Sequence, residues 1–393
     1  MKIAATVTTV NLRATMDQLV FVHGVNTRKG SSYDLEVENR DRLFKKTAWA
    51  DAPLNIRNVY WGDLAAQFGY DLACLPSNGP KSASFGLLGG IVAPGAVGQA
   101  QPLSGLASTD FGAMIDAIFV ALVEEAEAAG KQLTDEQIEK FRVAGEYAVN
   151  NAALPPSWAT GAASDQTVVS ELRKRVEPTA TASFGLGDDI VSAAKSLADR
   201  ARNLVSSGIA PIIRDGASPL VARFLGDIFV YLYDHGAASK RTKIREIIAN
   251  GVNEAALEAK QHGGKLVLIG HSLGGVVLRD MLGDASSGID QNIRIDLLAT
   301  VGSQPGLFQE MNLLGNSTKA PQKVPLVAAI GSWWNVYDPV DLLSFRCAPM
   351  FEDVTDFEFS SATGLIDAHT TYFKRPRFYA RLRERLQEVG IGA

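Results

Sequence analysis

The stretch Lys265-Leu-Val-Leu-Ile-Gly270-His271-Ser272-Leu273-Gly274-Gly275-Val-Val-Leu-Arg279 decides how this chain reads. Its apolar run has the pattern of a strand buried on both faces. The run breaks at Gly270, and helical character resumes at Leu273, so Gly270-x-Ser272-x-Gly274 joins a strand to a helix. Serine at so sharp a turn takes a strained backbone that lifts its hydroxyl clear of the sheet. Glycines two residues to either side remove the Cβ atoms that would clash there. The helix that follows aims backbone N–H groups and its dipole at the serine, which favours a developing negative charge. The competing reading of the same residues is a purely structural tight turn.

Working outward, further strand-like runs stand at Leu19–Val22, Asn55–Trp61, Ile295–Val301 and Val324–Ile330. Helical periods occupy Phe111–Ala129, Asp135–Asn150, Asp188–Val205, Val221–Tyr233, Lys240–Gln261 and Arg377–Val389. Thr134-Asp-Glu-Gln137 has the form of a capping box. Strands that alternate with helices imply an α/β fold, a mostly parallel sheet with helices on both faces. Residues 1–71 form the first part of that core and 219–393 the second. Residues 72–218, rich in Ala, Gly and Ser and poor in strand signals, read as a helical insertion. For 76–106 and 154–187 a poorly ordered linker is the alternative.

Composition excludes several classes. With 38 Lys and Arg against 43 Asp and Glu, the formal charge of −5 argues against a general nucleic-acid or anionic-membrane binder. Hydrophobic residues at 46% and charged residues at 21% exclude overall disorder. Two cysteines, Cys74 and Cys347, cannot build a disulfide framework or a cysteine zinc site. The most apolar run, Phe85–Val97, is too short and too glycine-rich to span a bilayer. Met1–Val10 lacks the apolar core of a signal peptide and reads as a strand, so the cytoplasm is the expected compartment.

A serine hydroxyl needs a base, and the base needs an orienting acid. In the α/β-hydrolase pattern they follow in chain order as serine, acid, histidine. One histidine, His369, follows Ser272, in a loop ahead of the last helix. The acid is Asp341, with Asp338 and Asp367 as alternatives. Backbone N–H groups of Leu273 and Val25 are the expected oxyanion donors, the latter from the loop Phe21-Val-His23-Gly24-Val25-Asn26, where the Asn26 side chain is placed to help. His23 reads as a packed loop residue. His235 and His262, near helix C-termini, read as structural. His271 packs or touches substrate. Trp333-Trp334 lines an acyl pocket or packs in the core. The basic run Lys374-Arg375-Pro376-Arg377 with Arg381, Arg383 and Arg385 reads as a solvated helix face.

Together these residues resemble the α/β-hydrolase superfamily. Gly-His-Ser-Leu-Gly-Gly at 270–275 is the form common among lipases and esterases. Val-Tyr-Trp-Gly-Asp at 59–63 and Gly-Asp-Ile-Phe-Val-Tyr-Leu-Tyr at 226–233 resemble lipase-like hydrolases near the GPI inositol-deacylase and intracellular phospholipase groups. Thr-Val-Gly-Ser-Gln-Pro-Gly at 300–306 resembles their strand exit, with Gln304 inserted before the proline. Asn-Val-Tyr-Asp-Pro-Val-Asp at 335–341 resembles their acid segment, whose second aspartate is usually catalytic. Ala-His-Thr-Thr-Tyr at 368–372 resembles their base segment. The likeness covers about residues 15–70 and 220–390; the insertion departs from the pattern and resembles no known family.

The resemblance implies an α/β-hydrolase fold with a large helical cap, and a serine esterase or lipase, phospholipase included. Ser272, His369 and Asp341 are then catalytic. No metal or organic cofactor is expected. The expected partner is a small-molecule or lipid ester, with transient contact to a membrane surface and none to nucleic acid. An amidase or acyltransferase with the same triad, or a ligand-binding protein on a hydrolase scaffold, is the alternative. The insertion is expected to cover the C-terminal ends of the strands, with Gly86–Val92 as an apolar flap over Ser272.

Overall fold

Six strands, β1 (Asp17–Val22), β2 (Leu54–Val59), β3 (Leu266–His271), β4 (Leu297–Val301), β5 (Trp333–Tyr337) and β6 (Val354–Glu358), pair in one sheet. The sheet is parallel throughout, in the order β2-β1-β3-β4-β5-β6. The structure, a computed structural model, describes residues 15–30, 32–69, 72, 102–151, 154–176, 190–194, 209–236, 239–314, 322–360 and 365–392. The expected strand at Met1–Val10, the run Phe85–Val97, the flap Gly86–Val92, Cys74 and most of Asp188–Val205 lie outside the described residues.

Parallel neighbours need crossovers; helices supply them except between β5 and β6, where residues 338–353 form turns and loop alone. The described helices are α1 (Tyr33–Leu43), α2 (Leu103–Thr109), α3 (Phe111–Ala128), α4 (Asp135–Asn150), α5 (Ser157–Thr160), α6 (Asp165–Val176) and α7 (Ile209–Tyr233). After them come α8 (Lys240–His262), α9 (Leu273–Leu282), α10 (Pro305–Glu310), α11 (Leu365–Thr370) and α12 (Pro376–Glu388). Among the described residues no helix is long and apolar enough to cross a membrane.

The period-two alternation of each central strand divides the core. Leu19, Phe21, Val267, Ile269, Leu297 and Ala299 face one hydrophobic cluster, shared with Leu43, α2–α6 and α12. Val20, Val22, Leu268, Leu298 and Trp333 face the other, shared with α7, α8 and α9. The β1, β3 and β4 runs are continuous because both faces are covered. On β2, at the sheet's edge, the four residues between Leu54 and Val59 are only half-buried.

Four expectations change. The run Val324–Ile330 contributes only single bridges, Val324 to Phe351 and Ile330 to Ile295. Pro325 within it has no N–H to give a ladder, and the true strand is β5, with β6 beyond it. His369 stands in the last turn of the short helix α11 rather than in a loop. The boundary expected at 218/219 falls inside α7. The basic run is not a solvated face throughout. Arg375 is fully buried, and Arg377 donates through Nε to the buried Asp116 of α3 at 2.7 Å.

That last contact bears on the insertion. Of its described helices, α3 and α4 pack on α12, and α4 also on the π-helical turn Phe44–Ala48; α2–α6 share the cluster of one sheet face. They form part of that covering layer, and Val123 and Glu127 of α3 also reach the cavity that His271 lines. The α3 stripe Phe111, Met114, Ile115, Ile118 and Phe119 is buried in the layer. At ~1.5–3 kcal/mol for each large side chain, that burial contributes on the order of 10 kcal/mol before chain entropy. The capping box at Thr134 and Gln137 opens α4. Where a linker was the alternative, α5 and α6 are ordered helices, with Val168 and Leu172 fully buried.

Candidate active site

β3 delivers Ser272 at its C-terminal end, in the strained conformation φ 52°, ψ −129°, immediately before α9. A non-glycine residue holds such a conformation only when its surroundings over-determine it. Here the Ser272 N–H donates to the Val301 carbonyl at 3.0 Å, continuing the ladder to β4. The Ser303 hydroxyl donates to the Ser272 carbonyl at 2.6 Å. A Cβ on Gly274 would strike the carbonyls of Val22 and His23, so glycine lets β1 cross directly behind the turn.

The His369 Nε2 lies 2.9 Å from the Ser272 hydroxyl, and its Nδ1 lies 2.9 Å and 3.1 Å from the two oxygens of Asp341. All three residues are buried. Asp341 sits in the turn after β5, where its Oδ1 accepts the Leu343 N–H at 2.8 Å and its Oδ2 accepts the Tyr372 hydroxyl at 3.0 Å. Burial first, and then the Asp341 charge, raise the Tyr372 pKa, so the phenol stays a donor. Asp338 turns elsewhere: its Oδ1 accepts the Val340 N–H at 2.9 Å. The side chain of Asp367 lies outside the described residues.

The exit loop of β1 closes the other side of the serine. A Cβ on Gly24 would lie 2.5 Å from the Ser272 Cβ, so only glycine permits this approach. Val25 follows, then Asn26 at φ 60°. Among the described residues, neither the Val25 N–H nor the Leu273 N–H donates to any acceptor. The buried carboxylate of Asp227, on α7, fixes the loop. It accepts the Asn26 N–H at 3.1 Å, the Ala66 N–H at 2.7 Å and the Arg28 guanidinium at 3.1 Å. The Asn26 side chain is held by Arg223 at 2.9 Å, so it acts on the loop's outer side.

The other histidines resolve by their bonds. His23 Nε2 accepts the Trp61 N–H at 3.0 Å, which leaves Nδ1–H to donate to the Gly24 carbonyl at 2.7 Å. Stacked on Trp61 at 4.8 Å and buried, it is a structural residue, and burial pushes its pKa down to about 3. His271 Nε2–H donates to the His369 carbonyl at 3.0 Å and so pins the backbone of the base. Burial, then the neighbouring His369, push His271 down to about 3, and the ring stays neutral. His262 ends α8, and His235 follows α7. Trp333 and Trp334 are both core residues, one on each face of the sheet, and neither lines the cavity that borders His271.

The arrangement can move a proton. An imidazole oriented by a carboxylate can take the hydroxyl proton while the carboxylate stabilises the resulting imidazolium. The candidates Ser272, His369 and Asp341 are brought into one hydrogen-bonded line, and the loop of Val25 reaches them. Asp227 and Ser303 were not singled out as site residues, and their only signal was the motifs that contain them. No family model, no curated protein and no solved structure matches this chain.

Proposed function

We propose that the chain is a serine carboxylic-ester hydrolase on an α/β-hydrolase fold. The observation that carries the reading is the unbroken line from Ser272 Oγ through the His369 ring to Asp341, on a strained strand-to-helix turn. Ser272 attacks the ester carbonyl while His369 Nε2 takes its proton. Asp341 holds the tautomer with hydrogen on Nδ1 and balances the imidazolium. The tetrahedral oxyanion is received by the N–H groups of Leu273 and Val25. His369 returns the proton to the leaving alkoxide, and water, activated by the same ring, releases the acid. A single oxyanion donor contributes ~3–4 kcal/mol to such a transition state. The neutral His271 fits this scheme, because a second cation beside His369 would oppose formation of the imidazolium.

A fluorophosphonate probe tests the reading. Wild-type protein should be labelled at Ser272 and should hydrolyse p-nitrophenyl acetate, and Ser272→Ala should lose both. A folded wild-type protein that takes no label and turns over no ester sinks the proposal. Faster hydrolysis of an amide than of the matching ester would move the chain to the amidase reading, and acyl transfer that outpaces hydrolysis to the acyltransferase reading.

A further inference from the structure

We infer that the ester taken at this site is small and oxygen-rich, a short-acyl ester of an uncharged polyhydroxy alcohol rather than of a long-chain lipid. The inference rests on the proposed ester hydrolysis and names its substrate class. A cavity of about 370 Å³ opens next to the catalytic turn, walled not by Ser272, His369 or Asp341 themselves but by residues adjoining them in the chain. Its wall includes Val25, His271 and Thr370, each one residue from Gly24, Ser272 or His369. That volume is at the small end of ligand pockets, which run from roughly 300 to 1,000 Å³.

The wall is mixed: Phe21, Leu43, Val123 and Phe373 line it together with charged groups, so it is not a greasy tunnel throughout. Arg28, Arg40 and Lys374 all line the cavity. Each is already matched: Arg28 to Asp227 at 3.1 Å, Arg40 to Asp41 at 3.1 Å and Lys374 to Glu127 at 2.7 Å. Three matched pairs call for neither an anion nor a cation. An alkyl chain laid against them would strip their water and return nothing. Glu36, exposed on the wall, further disfavours an anionic ligand.

Two donors on the same wall lack acceptors. Asn39 is 1% exposed, and its Oδ1 accepts the Leu133 N–H at 2.9 Å, yet its Nδ2 has no partner among the described residues. The neighbouring Arg40 Nε is likewise buried without a partner, while the guanidinium is held 3.7 Å over the Phe21 ring. Buried donors are nearly always satisfied; these two lie just behind the cavity wall, and a ligand oxygen that draws either side chain toward the cavity gives its donor a partner. Hydroxyl, ether or carbonyl oxygens supply acceptors without charge.

The test separates binding from turnover. Glyceryl monoacetate, a monoacetylated methyl glucoside and butyl acetate are titrated into Ser272→Ala by ligand-observed NMR. Their kcat/KM values are then measured on the wild type. Either hydroxylated ester should bind, and should be hydrolysed, about tenfold better than butyl acetate. Which of the two wins tells glycerol from sugar as the source of the hydroxyls. Asn39→Asp keeps the acceptor for Leu133 and removes the free donor; Arg40→Lys keeps the charge and removes Nε–H. Each should erase most of the preference. Butyl acetate binding Ser272→Ala as well as the hydroxylated esters, or octanoate esters outrunning acetates on wild type, overturns the inference. Selective binding of the hydroxylated esters without any wild-type hydrolysis upholds the binding site and removes the esterase reading instead.

Discussion

The carboxylate of Asp227 accepts the backbone N–H of Asn26 at 3.1 Å, across 201 positions of sequence. It thereby ties α7 to the loop that carries the Val25 N–H. Interactions that matter only once the oxyanion forms act on kcat rather than on KM. Asp227→Asn, which keeps an acceptor but loses the charge facing Arg28, should lower kcat about tenfold on p-nitrophenyl acetate. KM should stay within about twofold. Unchanged kcat in a folded variant would leave Asp227 with a purely structural role.

The two acid candidates differ in what each aspartate faces. Asp341 faces His369 Nδ1, whereas Asp338 accepts a backbone N–H in its own turn. Asp341→Asn should cost roughly 10⁴ in kcat, because an amide oriented for its other bonds presents the wrong partner to the ring. Asp338→Asn should cost less than tenfold. Steady-state kinetics on both variants checks this, and the opposite ranking would transfer the role.

The elbow was legible because the run before Gly270 and the glycines after it can form little else. His369 was legible because one histidine follows Ser272. Asp341 and Asp338 were not separable from sequence, since both belong to one turn and only its fold turns one toward the ring. The insertion's helices could be read from periodicity and from the Thr134 cap. What they cover could not, because an apolar stripe such as Phe111 to Phe119 says that it is buried, not against what. Asp116 meeting Arg377 across 261 positions is the kind of contact that periodicity never reveals. Pro325 was a legible warning against the strand expected at Val324–Ile330, outweighed by the apolar residues around it.

Gly24 offers a steric test of the loop. An added Cβ would lie 2.5 Å from the Ser272 Cβ, 3.0 Å from the His271 carbonyl and 3.1 Å from the Ser272 hydroxyl. None of these is the tip of a flexible side chain, so the loop itself has to retreat. Overpacking of this kind costs ~1–3 kcal/mol of stability. The displaced Val25 N–H should cost a further ~10²-fold in kcat. Gly30→Ala is the control, since nothing lies within 4 Å of its new Cβ. It should leave kcat unaltered. A Gly24→Ala variant as active as Gly30→Ala would place the oxyanion donor elsewhere.

Stability should fall as the solution is acidified, in a window set by His23 and His271. Both are pushed down to about 3 in the folded chain, by burial first in each case, against ~6.5 when unfolded. Above pH ~6.5 both rings are neutral in either state, and their contribution to stability is fully present. As the pH drops below that value the unfolded chain takes up protons that the folded chain refuses. Each ring then removes up to ~1.4 kcal/mol of stability per pH unit, until the folded pKa is reached. Both rings border the same cavity and are pushed down alike, so they should carry comparable shares. Carboxylates with depressed pKa values, such as Asp284 at about 2, lose their contribution only below pH ~4, while Glu127, raised by burial, opposes the decline, so the rings set the direction of the change from 6.5 to 4.5. Urea unfolding at half-unit steps across that range should show the decline. His23→Gln, which keeps an acceptor toward Trp61, should flatten it by about half. A flat profile in the wild type would mean that the rings take up protons equally in the folded and unfolded chains, and would overturn the neutral His23 ring that accepts the Trp61 N–H.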